Sequence, residues 1–238
     1  GSTNVTTLGT IGTGTWQGTA IASGYIAADA ITGAKIADDA VGAEHIASGL
    51  KLVTTDAQNN TVVGTNAGDS FTGTSATGNT LIGKDAGTAI TTGDFNTGVG
   101  RSSLLSTTTG VYNNGFGVNS LYSNSTGSYN VAVGNSSLEA STTASYNTAV
   151  GISSLITNTT GTSNVGVGYN ALYYNTTAGA NTAVGVEALK NNSTGQYNVA
   201  IGAYSLDANT TAASNTAVGY VSLGTNTTGN NNTAVGSS

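Results

Sequence analysis

Cysteine, proline and methionine are absent, and charge is scarce: 7% of the residues are charged, where a soluble globular domain averages ~25%. That scarcity argues against an ordinary globule. It argues equally against disorder, which goes with high net charge and few β-branched residues, whereas Val, Ile and Thr are abundant here. The formal charge of -6 excludes a nucleic acid or an anionic membrane held by electrostatics. The basic residues Lys35, Lys51, Lys84, Arg101 and Lys190 do not cluster. No apolar run approaches the ~20 residues of a membrane span, so no membrane insertion is expected. The lack of cysteine fits many compartments. Gly1-Ser2 reads as a remnant of cloning, and the chain is expected to be a piece of a longer one.

What is present is repetition. A glycine recurs at Gly64, Gly83, Gly100, Gly117, Gly134, Gly151, Gly168, Gly185, Gly202, Gly219 and Gly236; the first interval is 19 residues and all later ones are 17. An unbroken period of this length means a repeat architecture. Four residues before each glycine stands Asn, including Asn130, Asn147, Asn164, Asn181, Asn198 and Asn215. Just before it stands an apolar residue, including Val133, Val150, Val167, Val184 and Val218. Four after it stands Leu, from Leu104 through Leu138, Leu155, Leu172, Leu189, Leu206 and Leu223. Nine after it stands Thr, as at Thr126 and Thr143.

If each copy is one rung of a solenoid, every column repeats at the strand spacing of ~4.8 Å and the rod is about 50 Å long. Stacked Asn side chains then hydrogen-bond along the ladder, and the Val and Leu columns are expected to form a continuous dry interior. The glycine ends the strand where a turn needs positive φ or a close approach. A finer rhythm pairs the copies: Val131, Thr148, Val165, Thr182, Val199 and Thr216 alternate in step with Gly127, Ala144, Gly161, Ala178, Gly195 and Ala212. The first two copies carry Gly68 and Gly87 in the Leu column and most of the array's charges, as an end cap does.

Four segments follow: residues 1–20, Thr/Gly-rich with the only tryptophan, Trp16; a five-residue repeat over 21–50; a connector over 51–59; and the 17-residue array over 60–238. In the short repeat Ile26, Ile31, Ile36, Val41 and Ile46 recur every five residues. Five residues advance a helix by ~500°, so these side chains would spiral around it. An extended stalk in which each Ile meets its copies from neighbouring chains is the expectation. One apolar residue in five cannot bury enough surface in a lone chain, and three copies around an axis can.

The chemistry of catalysis is thin. The single histidine, His45, excludes a histidine-based triad and a multi-histidine metal site within one chain. Gly83-Lys84-Asp85-Ala86-Gly87 lacks the spacing and the Ser/Thr of a phosphate loop. Residues 102–238 hold only Glu139, Glu187 and Asp207 as acids, too few for a β-helical polysaccharide enzyme. No catalytic residue, cofactor or metal site is expected. The tyrosines, among them Tyr112, Tyr129, Tyr146, Tyr169, Tyr197 and Tyr220, fill positions the repeat leaves variable; with Asn and Thr they offer carbohydrate or protein contacts, or pack between chains.

The phrase Asn164-Val165-Gly166-Val167-Gly168-Tyr169-Asn170-Ala171-Leu172 and its copies over 94–238 resemble the Asn-Thr-Ala-Val/Ile-Gly-Tyr-x-Ala/Ser-Leu repeats of bacteriophage tail fibres and related trimeric surface adhesins of bacteria. Gly14-Thr15-Trp16-Gln17-Gly18-Thr19-Ala20 and Ala34-Lys35-Ile36-Ala37-Asp38-Asp39-Ala40-Val41 look like the shaft of such fibres. The resemblance implies an all-β, elongated, parallel homotrimer, a β-solenoid or β-roll-like shaft or head on a short-repeat stalk. It also implies an extracellular, cell-surface or virion location and attachment to a glycan or protein of a target cell. The alternative is a monomeric Thr-rich β-solenoid that binds ice or carbohydrate.

Overall fold

A computed structural model of the chain describes residues 54–55, 58–71 and 75–237. The five-residue repeat with Ile26, Ile31, Ile36, Val41 and Ile46, together with Trp16 and His45, lies outside the described residues. Thr54–Thr55 form β1. One three-residue strand per copy follows: β2 (Thr61–Val63), β3 (Thr80–Ile82), β4 (Thr97–Val99), β5 (Asn114–Phe116), β6 (Val131–Val133), β7 (Thr148–Val150), β8 (Val165–Val167), β9 (Thr182–Val184), β10 (Val199–Ile201), β11 (Thr216–Val218) and β12 (Thr233–Val235). They make one sheet in sequence order. β2 to β12 are parallel, each residue opposite its counterpart 17 positions on, or 19 between β2 and β3. β1 pairs with β2 antiparallel, Thr54 opposite Val62. The described residues form an all-β solenoid with one rung per repeat.

The strand is short because the rung needs only one flat side. The rest of each copy turns through left-handed corners. In the copy from Asn130 these are Gly134 (φ 135), Ser136 (φ 55), Leu138 (φ 50) and Tyr146 (φ 62). A Cβ on Gly134 would lie 2.5 Å from the carbonyl oxygen of Gly151 in the next rung. The glycine column is therefore set by rung-to-rung approach as well as by φ. Non-glycine residues in this region cost roughly 1–2 kcal/mol each. Hydrogen bonds to both neighbouring rungs hold them there: Ser136 N donates to Val118 O at 2.9 Å, Leu138 N to Ser154 O at 3.1 Å, and Tyr146 N to Ser128 O at 3.1 Å.

Alternation along the strand decides what faces in. Asn130 and Ala132 point into the coil, Val131 and Val133 point out, and Leu138 enters from the opposite side. The Leu column from Leu104 to Leu206 is completely buried. The Val column differs from the expected interior. Val133 is 37% exposed, and Phe116 and Ile201 in the same column are each 41% exposed. Asn takes the inward position at the start of the strand, so period-two alternation sends the residues one and three places later outward. The small residue between them, Ala132, Ala149 or Ala183, is the one that packs under Leu. Where Leu fills the coil only a small side chain fits, since a Cβ on Gly98 would meet Leu104 and Leu81 at 3.2 Å; in the first two copies, which have Gly in the Leu column, Val62 and Leu81 take this position.

The pairing of copies has a backbone counterpart. Above Gly127 both Ser125 N and Thr126 N donate to Thr142 O, at 2.8 and 3.2 Å; Thr159 N and Thr160 N do the same to Thr176 O before Gly161. In the rungs that carry Ala144 and Ala178, Thr142 N donates to Thr159 O and Thr176 N to Ser193 O. The Ala corner brings its carbonyl so close to the rung below that a Cβ on Gly127 or Gly161 would collide with it. The Gly110 and Gly127 carbonyls approach Gly93 and Gly110 in the same way, so the contact requires glycine at these corners and does not by itself produce the alternation with Ala.

Candidate functional site

Three surfaces or columns of the solenoid carry side-chain chemistry: the buried amide ladders, the outer sheet face and an aromatic ridge. The first Asn column is a continuous buried amide ladder. Asn130 N and Nδ2 both donate to Asn113 Oδ1, at 3.1 and 3.0 Å, and Nδ2 also reaches Ala144 O at 2.8 Å. Asn130 Oδ1 in turn accepts from Asn147 N at 3.0 Å and Asn147 Nδ2 at 3.2 Å. Asn164, Asn181, Asn198 and Asn215 continue it through Asn164 N to Asn147 Oδ1, Asn181 N to Asn164 Oδ1, Asn198 N to Asn181 Oδ1 and Asn215 N to Asn198 Oδ1. Amide is required because the buried position must accept from two donors and donate to two acceptors.

A second amide column lies beside the first, Asn124 and Asn113 both donating to Gly127 O: Asn124, Asn158, Asn175, Asn192 and Asn209, all buried. Asn175 Nδ2 donates to Asn158 Oδ1 at 2.8 Å and Asn192 Nδ2 to Asn175 Oδ1 at 3.0 Å. Its recurrence every 17 residues is legible in the sequence, interrupted by Thr107 and Ser141. These Asn residues open the Asn-Ser/Thr-Thr triplets that look like glycosylation acceptors. Their burial identifies those triplets as ladder chemistry. Beside them the hydroxyl one place before the Thr column bonds to the next rung, as Thr142 Oγ1 does to Thr159 O at 3.2 Å. The expected Thr column itself, Thr126 and Thr143, is exposed.

The interruption at Ser141 leaves a defect. Asn124 Oδ1 and Ser141 Oγ are buried without a hydrogen-bond partner. Ser141→Asn is expected to close it. The new amide would donate to Asn124 Oδ1 and the Ala144 carbonyl and accept from Asn158. Asn175 already sits three residues before Ala178 in the same arrangement, donating to its carbonyl at 3.1 Å. Satisfying two buried groups should raise stability by about 1–3 kcal/mol. Thermal unfolding monitored by circular dichroism checks this; an unchanged or lower midpoint would refute it.

The outer sheet face is uncharged throughout. One outward column runs Thr61, Thr80, Thr97, Asn114, Val131, Thr148, Val165, Thr182, Val199, Thr216, Thr233, and the other is the Val/Ile/Phe column. Next to it Ile152, Tyr169 and Val186 are exposed in consecutive rungs. In earlier rungs that neighbouring column carries Lys84 and Arg101, both exposed, and the other charged groups lie away from the face. Lys190 Nζ bonds Glu187 Oε2 at 3.0 Å, and this hydrogen bond raises the lysine pKa above its ordinary value. Burial pushes the nearby Asp207 carboxyl up. Among the described residues no three His, Cys, Asp or Glu side chains group closely enough to hold a metal ion.

The aromatic ridge was visible only as scattered tyrosines. Phe95, Tyr112, Tyr129 and Tyr146 occupy one column and stack ring on ring. Their centroids are 5.1, 5.2 and 5.1 Å apart, with interplanar angles of 15°, 14° and 3°. Their 17-residue spacing is the signal that finds them. Tyr173 and Tyr174, and Tyr204 and Tyr220, meet edge to face instead. Among the described residues no helix is long and apolar enough to cross a membrane. No family model, curated protein or solved structure matches this chain, so its function is argued from these surfaces alone.

Proposed function

We propose that the chain is a structural and adhesive fibre segment, working as a parallel homotrimer outside the cell or on a virion. The observation that carries this reading is the outer sheet face. Eleven parallel strands present outward columns of Val, Ile, Phe and Thr, with Asn114, and no charge. At ~4.8 Å per rung this face is about 50 Å long. With the neighbouring column of Ile152, Tyr169 and Val186 it covers on the order of 800 Å², the area a standard interface buries per partner. Exposed apolar stripes on soluble chains mark interaction sites, and here the Val/Ile/Phe column runs beside a column of mostly Thr. A repeat array suits a partner with the same repeat, because a parallel copy meets the same columns at every rung.

Light scattering should give a mass of three chains. Val150→Lys together with Val184→Lys places charge in the contact and leaves the buried columns intact. That variant is expected to fall to one chain with an unchanged far-ultraviolet dichroism spectrum. A wild-type chain that runs as a clean monomer, or a double variant that stays trimeric, would refute the reading. The Thr residues of the outer face support a second one, adsorption of a monomer to ice. The Val residues at 131, 165 and 199 interrupt that column. A monomer with measurable thermal hysteresis would favour it.

A further inference from the structure

The aromatic ridge has two ends of different character. At the N-terminal end Phe95 lies against Gly78: a Cβ on Gly78 would come within 2.7 Å of the Phe95 ring. That end is closed. At the other end Tyr146 stacks on Tyr129 with one face, 5.1 Å away and 3° from parallel. The next residues in the column, Ser163 and Ala180, are short and exposed. The ring stack therefore stops with an open face. The exposures agree: Tyr146 is 61% exposed, against 44% for Tyr112 and 47% for Tyr129 inside the stack.

The surroundings select the ligand. Ser145, Thr162 and Ser163 flank the open face, and no charged residue stands beside it in these rungs. Ser145 Oγ accepts the Ser128 N–H at 3.0 Å, which directs its own hydroxyl proton elsewhere. A rigid ring face rimmed by hydroxyls suits a flat, uncharged, hydroxyl-bearing partner: its C–H face covers the tyrosine and its hydroxyls meet the serines and threonine. It offers nothing to neutralise a phosphate or carboxylate.

We infer that the open face of Tyr146, over Ser163, is a carbohydrate-binding platform for a neutral pyranose ring. This rests on the adhesive part of the reading above and names its ligand class. The short Ser163 and Ala180 leave room for the sugar to take the place of the next ring in the stack. The rest of the ladder keeps Tyr146 from turning, so little side-chain freedom is lost on binding.

Saturation-transfer NMR on the full chain with cellotetraose, maltotetraose and chitotetraose tests the platform. At least one of the three should receive saturation. Tyr146→Ala should weaken that binding tenfold or more. Ser163→Tyr, which continues the ladder over the open face, should weaken it as much while leaving the fold intact; Ser163→Ala, which removes one rim hydroxyl and keeps the face open, should weaken it less than either. Failure of all three sugars to bind, or binding that survives both Tyr146→Ala and Ser163→Tyr, overturns the inference. The masses are measured in parallel. A trimer that binds no sugar sinks the platform and keeps the fibre; a monomer with Tyr146-dependent binding does the reverse.

Discussion

Asn130→Leu is expected to be among the most damaging single changes in the array, although leucine repeats the branching of the asparagine side chain. Asn130 is completely buried, and its side chain serves four partners. Leucine leaves the Asn147 N–H and Nδ2 without the acceptor they share at 3.0 and 3.2 Å. It also leaves the Ala144 carbonyl without its donor at 2.8 Å, and Asn113 Oδ1 keeps only one of its two donors. Each buried group left unpaired costs roughly 1–3 kcal/mol, so the total should reach about 4 kcal/mol or more. Hydrophobic gain does not offset this, because the leucine would point at amides above and below. Rungs depend on their nearest neighbours, so opening should start at this rung and spread to both sides. Amide hydrogen exchange should show protection lost first at Asn147 and its neighbours. The same change at exposed Asn135 should stay within about 0.5 kcal/mol. Equal effects at the two sites would refute the ladder as the source of stability.

How much of this was legible beforehand differs from column to column. The period, the one-rung-per-copy stack and the Asn column follow from spacing alone, because an invariant amide every 17 residues has few uses besides stacking. The Leu column is interior, as its recurrence predicts. The Val column faces outward, because hydrophobicity alone does not set which side of a strand is buried. In a three-residue strand the face is set by counting from Asn130: Ala132 falls inward and Val133 outward. The smallest side chain in the strand is the buried one because Leu138 already fills the coil. The second amide column escaped notice because Thr107 and Ser141 break it. The aromatic ladder escaped because only four consecutive rungs carry it. The need for Gly at corners such as Gly127 and Gly161 is not legible in the sequence, since it comes from a carbonyl in the adjacent rung. No property of a single copy reveals that contact.

Leu138 carries the second large effect, and its size depends on two opposing features. The side chain is completely buried, so Leu138→Ala should cost about 2–5 kcal/mol through lost burial and the cavity left in a coil one side chain wide. Its backbone, however, is left-handed, at φ 50. Leucine and alanine both suffer there by roughly 1–2 kcal/mol, and glycine does not. At an ordinary position glycine is worse than alanine by roughly 0.5–1 kcal/mol. Here the order should reverse, with Leu138→Gly as stable as Leu138→Ala or more so. The chain contains its own precedent. Gly68 and Gly87 occupy this column in the first two copies, at φ 61 and 55. At Gly87 the space a Cβ would need is taken by Leu81 and Ile90, both completely buried. What looked like an end cap is thus the same corner with its apolar filling supplied from neighbouring positions. Denaturant unfolding of the two variants decides the matter. If Leu138→Gly proves less stable than Leu138→Ala by about 1 kcal/mol, the left-handed corner is not a constraint that this column has to satisfy. If the order reverses, the same test applied at Leu155 and Leu172, at φ 53 and 54, should give the same sign, because the corner is repeated with the rung.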